Sequence, residues 1–153
     1  MSNPPRLVLR EVVDTDLAIF FEHQRDPEAV RMAAFPSRDR DAFLTHWAKL
    51  RREPSNIIRA IVWDGQVAGN IGSWIAGGQR LIGYWIGREF WGRGLATQAL
   101  AELVDMVEAR PLYAHVVKSN VASIRVLEKN GFVEVERHTG DDGIEELVLE
   151  LGR

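Results

Sequence analysis

The stretch Trp91–Ala99, WGRGLATQA, sets two glycines and a run of small residues where an apolar segment gives way to a helical pattern. Two kinds of chemistry suit that position. Gly92 and Gly94 can make a tight turn, because glycine reaches positive φ without steric cost. They can also bare the backbone N–H groups of a helix start, which hold an anion such as a phosphate group. The loop by itself leaves both open. The histidines at 23, 46, 115 and 138 show no HExxH or other linear ligand spacing, so no metal is indicated. With no cysteine in the chain, disulfides, thiolate zinc sites and a cysteine nucleophile are excluded, and a reducing, cytoplasmic setting is favoured.

The elements that must position the loop belong to one domain spanning residues 1–153. A chain of 153 residues, 46% hydrophobic and 27% charged, fits a single globular unit that buries most of its apolar surface, and no repeat or linker interrupts it. No window approaches the roughly 18 apolar residues of a membrane helix, and the N-terminus MSNPPRLVLREV lacks a signal pattern, so membrane insertion and export are not expected. A net charge of −3 and a pI of 5.8 give no broad basic field for nucleic acid, so an anion site has to be local.

Leu7, Leu9 and Glu11 start a strand, and the Asp14–Thr15–Asp16 cluster can cap a helix through about Gln24. Phe43, Leu44, Trp47 and Leu50 put an amphipathic helix over residues 38–51. Asn56–Trp63 and Gln66–Trp74 read as a hairpin around Asp64–Gly65, whose types suit the positive φ angles of a two-residue turn. Leu81–Ile86 is a further strand leading into the glycine loop. From Leu95 the pattern is helical, with Leu100, Leu103, Val104 and Val107 on one face and Pro111 forbidding continuation. Leu112–Val117 reads as a buried strand, Asn120 caps a short helix ended by Asn130–Gly131, and Phe132–Glu136 and Ile144–Leu151 close the chain as a hairpin. This order predicts a mixed α/β fold with helices on both faces of one sheet.

The glycine loop and the segment SNVASIRVLEKNGF, Ser119 to Phe132, occur together in an order that resembles the GNAT superfamily of acyl-CoA-dependent N-acetyltransferases, and within it the RimJ/RimL type. The family's pyrophosphate loop, [Q/R]-x-x-G-x-[G/A], is matched at Gly94 and Ala96. Trp91 departs from its first position, in the W-G-[K/R]-G-L-A form frequent in the RimJ/RimL branch. The second motif, N-x-x-S-x-x-x-L-x-K-x-G-F, is matched by Asn120, Ser123, Leu127, Lys129, Gly131 and Phe132. Strong matching is confined to residues 81–132. A Rossmann dinucleotide loop fits poorly, because Thr97 stands where its third glycine would be and several strands precede the loop.

The resemblance implies a GNAT-like sheet, mostly antiparallel with one splayed parallel pair, and acetyl-CoA as acyl donor without a metal. It implies that backbone amides from Gly92 to Thr97, Leu95 included, hold the pyrophosphate, with Arg93 and Arg88 adding positive charge and Trp91 beside them. Aminolysis of a thioester then needs a base for the amine, a donor for the oxyanion, and help for the leaving thiolate. His115 stands where some ribosomal acetyltransferases carry a glutamate base, and imidazole chemistry suits that role, although a structural histidine bonded across the sheet fits the same position. Many relatives place a tyrosine acid where this chain has Leu127, so Ser123 is the nearest substitute; an ordinary helix serine is the other reading. Asn120 caps the helix, binds the pantetheine arm, or does both. Backbone N–H groups near Trp85 and Ile86 are the expected oxyanion donors, and Tyr84 either contacts acceptor or packs.

The expected partners are acetyl-CoA and a primary amine, with no nucleic acid or membrane, and both monomer and homodimer stay open. A catalytically silent acyl-CoA-binding module is the rival function. Asp26–Arg31 falls in the region that shapes acceptor entry in the family but carries little signature. Asp141, Asp142, Glu145 and Glu146, in HTGDDGIEE, can attract a cationic acceptor or merely form an exposed hairpin turn.

Overall fold

A computed structural model of the chain describes residues 6–34 and 36–152. Its elements run β1 (Leu7–Glu11), α1 (Asp16–Arg25), α2 (Pro27–Ala33), α3 (Arg40–Arg52), β2 (Ile57–Trp63), β3 (Gln66–Ala76) and β4 (Gln79–Ile86), then a 3₁₀ turn (Arg88–Phe90). They continue with α4 (Leu95–Met106), β5 (Leu112–Val117), α5 (Val121–Lys129), β6 (Val133–Thr139) and β7 (Glu145–Leu151). The strands form one seven-stranded sheet in the order β1-β2-β3-β4-β5-β7-β6. All neighbouring strands are antiparallel except β4 and β5, which run parallel and pair only at Arg80–Leu112 and Leu81–Tyr113. Beyond Leu81 the two strands part, as a splayed pair should.

Helices cover both faces. On one, Leu100 and Leu103 of α4 and Leu127 of α5 pack onto Ile61, Ile71, Leu112, Ala114, Leu147 and Leu149 of the sheet. On the other, Phe20 and Phe21 of α1 and Phe43 and Trp47 of α3 close over Ala60. Each wholly buried leucine stabilises the fold by about 2 kcal/mol, so α4 is held by its sheet-facing stripe rather than by its exposed residues.

Local chemistry sets the turns. Asp64 and Gly65 have φ of 49° and 80°, the two positive angles the Asp-Gly pair predicts. A second tight connection, Gly77–Gly78, also has both φ positive, at 57° and 77°, so β3 runs on past Trp74 and β4 begins before Leu81. At the end of α5, Gly131 at φ 89° lets its N–H reach Glu128 O and that of Phe132 reach Leu127 O, at 3.0 and 3.1 Å.

Three features differ from the sequence reading. Thr15 stands at the cap of α1 without a side-chain bond, while the buried Asp16 turns to Arg10, at 2.7 and 2.9 Å, and accepts from the Val13 N–H. The acidic cluster thus ties β1 to α1 instead of capping the helix. Residues 27–33 form a helix of their own, because Asp26 accepts from the N–H groups of Glu28 and Ala29 and Pro27 supplies a fixed φ. Helix α4 stops before Pro111 requires it to, and the Arg110 guanidinium takes the loose carbonyls of Val107 and Val104 at 2.6 and 3.2 Å. Among the described residues no helix is long and apolar enough to cross a membrane.

Candidate active site

The first intrahelical bond of α4 runs from Gln98 N–H to Gly94 O at 3.2 Å, so the N–H groups of Leu95, Ala96 and Thr97 precede the helical ladder. No side chain caps them and no acidic residue sits in the first turn. Gly92 and Gly94 hold φ of 79° and 74°, left-handed angles that turn the chain into the helix. A Cβ at either glycine would meet nothing within 4 Å, so the space before this helix start is open. A free helix N-terminus facing open space attracts an anion through its donors and its partial positive charge.

That space belongs to a cavity of about 260 Å³. Its floor is Tyr84, Trp85 and Ile86 at the end of β4, one wall is the loop from Trp91 to Thr97, and the other is Asn120, Ala122, Ser123 and Val126 at the start of α5. Helix α2 closes it from above with Ala29 and Met32. Most of this lining is apolar, which suits a flexible arm between two polar ends. The Trp91 indole donates to Ile86 O at 2.9 Å and that of Trp85 to His23 O at 3.2 Å, so both aromatic walls are pinned by hydrogen bonds.

Asn120 caps α5 by accepting from Ser123 N–H at 3.3 Å. Ser123 Oγ lies 2.6 Å from the Tyr84 hydroxyl, which reaches across from β4. Burial pushes the Tyr84 phenol up to about 12, against the smaller opposing effect of the Ser123 hydrogen bond, so Tyr84 stays protonated. Asn130 Nδ2 reaches Thr97 O at 3.3 Å and ties the far end of α5 to the first turn of α4.

Ten of the expected site residues therefore line one cavity: Trp85, Ile86, Trp91, Gly92, Gly94, Leu95, Ala96, Thr97, Asn120 and Ser123. Arg93 is exposed and outside the lining. Arg88 borders a separate recess with Glu22, His23 and Glu89, where its guanidinium stands 3.5 Å from Asp26. His115 also lies outside the cavity. It projects from the face of β5 opposite the buried Leu112, Ala114 and Val116, and its Nδ1 is 3.2 Å from Glu146 Oε1. Leu127 is buried in the core. Sequence reasoning missed the α2 wall, whose start signal was the Asp26–Pro27 pair, and it gave Tyr84 no bond to Ser123. No local signal announces a pair 39 residues apart.

Residues 6–133 match the family model for the acetyltransferase (GNAT) domain. Among solved structures, the aminoglycoside acetyltransferase AAC(6')-Ib in complex with coenzyme A superposes with a TM-score of 0.80 at 21% identity, covering 97% of this chain and 95% of that one. A GNAT-family acetyltransferase from Bacillus anthracis gives 0.82 at 16% identity, over 96% and 95% of the two chains. An acetyltransferase from Agrobacterium tumefaciens gives 0.82 at 20%, over 100% and 96%. No curated protein sequence matches the chain. The likeness of fold and the family match over most of the chain agree with the uncapped helix start beside a cleft in the sheet, and the chain belongs to the GNAT acetyltransferase family.

Proposed function

We propose that this protein transfers an acetyl group from acetyl-CoA to a primary amine, either a protein N-terminus or a small molecule. One observation carries the reading: an apolar cavity joins the uncapped N-terminus of α4 to the end of β4, beyond its last pairing with β5, with a hydroxyl pair beside it. The pyrophosphate belongs on the free amides of Leu95, Ala96 and Thr97, and the pantetheine arm in the apolar passage. Coenzyme A and acetyl-CoA bound to AAC(6')-Ib support this donor, and the aminoglycosides bound there support an amine as acceptor. The Trp91-Gly92-Arg93-Gly94-Leu95-Ala96 form supports the RimJ/RimL branch, and with it a protein N-terminal amine among the candidate acceptors.

In this reaction the amine attacks the thioester carbonyl, a C–N bond forms, the C–S bond breaks, and the amine proton passes to a base. His115 is our candidate base, with Glu146 orienting its ring. Backbone N–H groups near Trp85 and Ile86 receive the oxyanion, on a strand edge that β5 no longer pairs. Ser123 gives the departing sulfur a hydrogen bond. A thiolate with a pKa of about 8.5 leaves without full protonation, so a phenol that keeps its proton serves Ser123 as a fixed neighbour and not as the source of a proton.

Release of free CoA thiol from acetyl-CoA across a panel of amines tests the reading, with turnover expected for at least one class. His115→Gln should lower kcat by about a hundredfold or more while acetyl-CoA affinity stays near wild type. A folded protein that binds acetyl-CoA and releases no thiol with any amine is the silent module instead.

A further inference from the structure

We propose that His115, His138 and Glu146 form a surface site for a divalent transition-metal ion of the zinc class, outside the acyl-donor cavity. Its occupation takes up the His115 nitrogen and the Glu146 carboxylate and so displaces the role of His115 as base given above. Linear spacing gave no hint of it, because the three residues come from three strands. Glu146 on β7 pairs directly with His138 on β6 and with Val117 on β5, and His115 lies two residues from Val117 on the same side of its strand. Three adjacent strands thus present the three side chains on one face of the sheet.

Their ligand atoms converge. His115 Nδ1 stands 3.2 Å and His138 Nε2 3.3 Å from the same Glu146 oxygen, and all three atoms lie within 4.8 Å of one another. A tetrahedral ion with ligands at about 2.1 Å holds those ligands roughly 3.4 Å apart. Two edges of the triangle already have that length. The third needs only a small rotamer adjustment, and 36% and 48% exposure of the two histidine side chains leaves room for it. Two imidazoles and one carboxylate suit Zn²⁺, Ni²⁺ or Cu²⁺ and not the all-oxygen preference of Mg²⁺ or Ca²⁺. Three protein ligands leave a fourth position for water or an incoming ligand. The neighbouring Glu145 does not compete, since it is held by Lys118 at 3.0 Å.

Titration of the untagged full chain with ZnCl₂ by calorimetry, and with CoCl₂ by visible absorption, tests the site. One saturable equivalent is expected, undisturbed by excess Mg²⁺. His138→Ala and Glu146→Gln should each weaken binding by about tenfold or more. Zinc should also raise the Tm of the wild-type protein, and that of His138→Ala by clearly less at the same zinc concentration, because an ion that binds only the folded state stabilises it by mass action. Absence of a saturable equivalent, or a folded His138→Ala protein that binds as tightly as wild type, overturns the proposal. Heat and absorbance are read without acetyl-CoA, so failure here leaves the acetyl-transfer reading standing, and failure of that reading leaves this site standing.

Discussion

The Tyr84 hydroxyl and Ser123 Oγ, on β4 and α5, are 2.6 Å apart, so a hydrogen bond ties the end of β4 to the first turn of α5 at the cavity. Tyr84→Phe keeps the ring and removes that bond. Under the proposed mechanism Ser123 then loses its fixed neighbour, and kcat should fall by about tenfold, the equivalent of one net hydrogen bond, with KM for acetyl-CoA nearly unchanged. Steady-state kinetics on the folded variant measures both.

The same phenol gives an alkaline signature. Its pKa is raised from 10.0 to about 12 by burial, so between those values the folded protein holds a proton that the unfolded chain has lost. Stability from this group is complete below pH 10 and disappears as pH rises toward 12, a loss of up to about 3 kcal/mol. Chemical denaturation of wild type and Tyr84→Phe at pH 9 to 11.5 should show a steeper decline for wild type.

Gly94 at φ 74° and Gly65 at φ 80° both have open space where a Cβ would go, but only Gly94 lines the cavity. Alanine at either position should cost about 1 kcal/mol for the left-handed backbone. Calorimetry with acetyl-CoA should then separate them. Gly94→Ala should weaken affinity by about tenfold or more, since the methyl group occupies the approach to the donors, and Gly65→Ala should leave affinity unchanged.

Asp16 is buried, and the Arg10 hydrogen bond holds its carboxyl below the usual value against the opposing effect of burial. A depressed carboxylate contributes stability above its unfolded pKa of about 3.9 and loses it as pH falls through the folded value. Arg10→Ala leaves that charge with the Val13 N–H and little else. The expected loss is about 2 kcal/mol at pH 7, below the full cost of a stranded buried charge because Arg10 is itself partly exposed. Melting curves at pH 7 and pH 4.5 should show the variant less stable than wild type at both.

At the acidic hairpin, three carboxylates already have partners. Glu145 meets Lys118, Glu146 meets two histidines, and Asp142 accepts from the Ile144 N–H at 2.9 Å to shape the turn. None of Asp141, Asp142, Glu145 and Glu146 lines the acyl-donor cavity, and Asp141 and Asp142 are exposed, so solvent and salt screen their field before it reaches the site. Asp141→Asn/Asp142→Asn should therefore change KM for a cationic amine by less than about twofold, at low and high salt alike, in the thiol-release assay.

Where one residue type decides the local backbone, the chain announces its structure. The Asp-Gly turn, the Asn120 cap and the Asn130–Gly131 helix end are of this kind, and the strand and helix order followed from them. The cavity wall made by Trp91 to Thr97 and by Asn120 and Ser123 was legible because both motifs are contiguous. Tyr84 with Ser123, Arg10 with Asp16, and His115 with His138 and Glu146 were not, since each depends on which strands lie side by side and in what register. Helix α2 is a different case. Asp26–Pro27 is a local start signal, but its seven residues are too few for a clear apolar period, so the signal stood without a pattern behind it.

Because β4 and β5 pair at only two positions, the sheet carries a bare strand edge in its middle rather than at its rim. Bare edges recruit strands from other chains and seed aggregation, and rim strands are commonly guarded against this by charge, bulges or brevity. Here the guard is architectural: Ala29 and Met32 of α2 stand on one side of the opening and Ala122, Ser123 and Val126 of α5 on the other. A bare edge covered by flanking helices is less open to pairing with a second polypeptide strand. The protein can thus keep unpaired backbone ready for a ligand without offering it to its own copies.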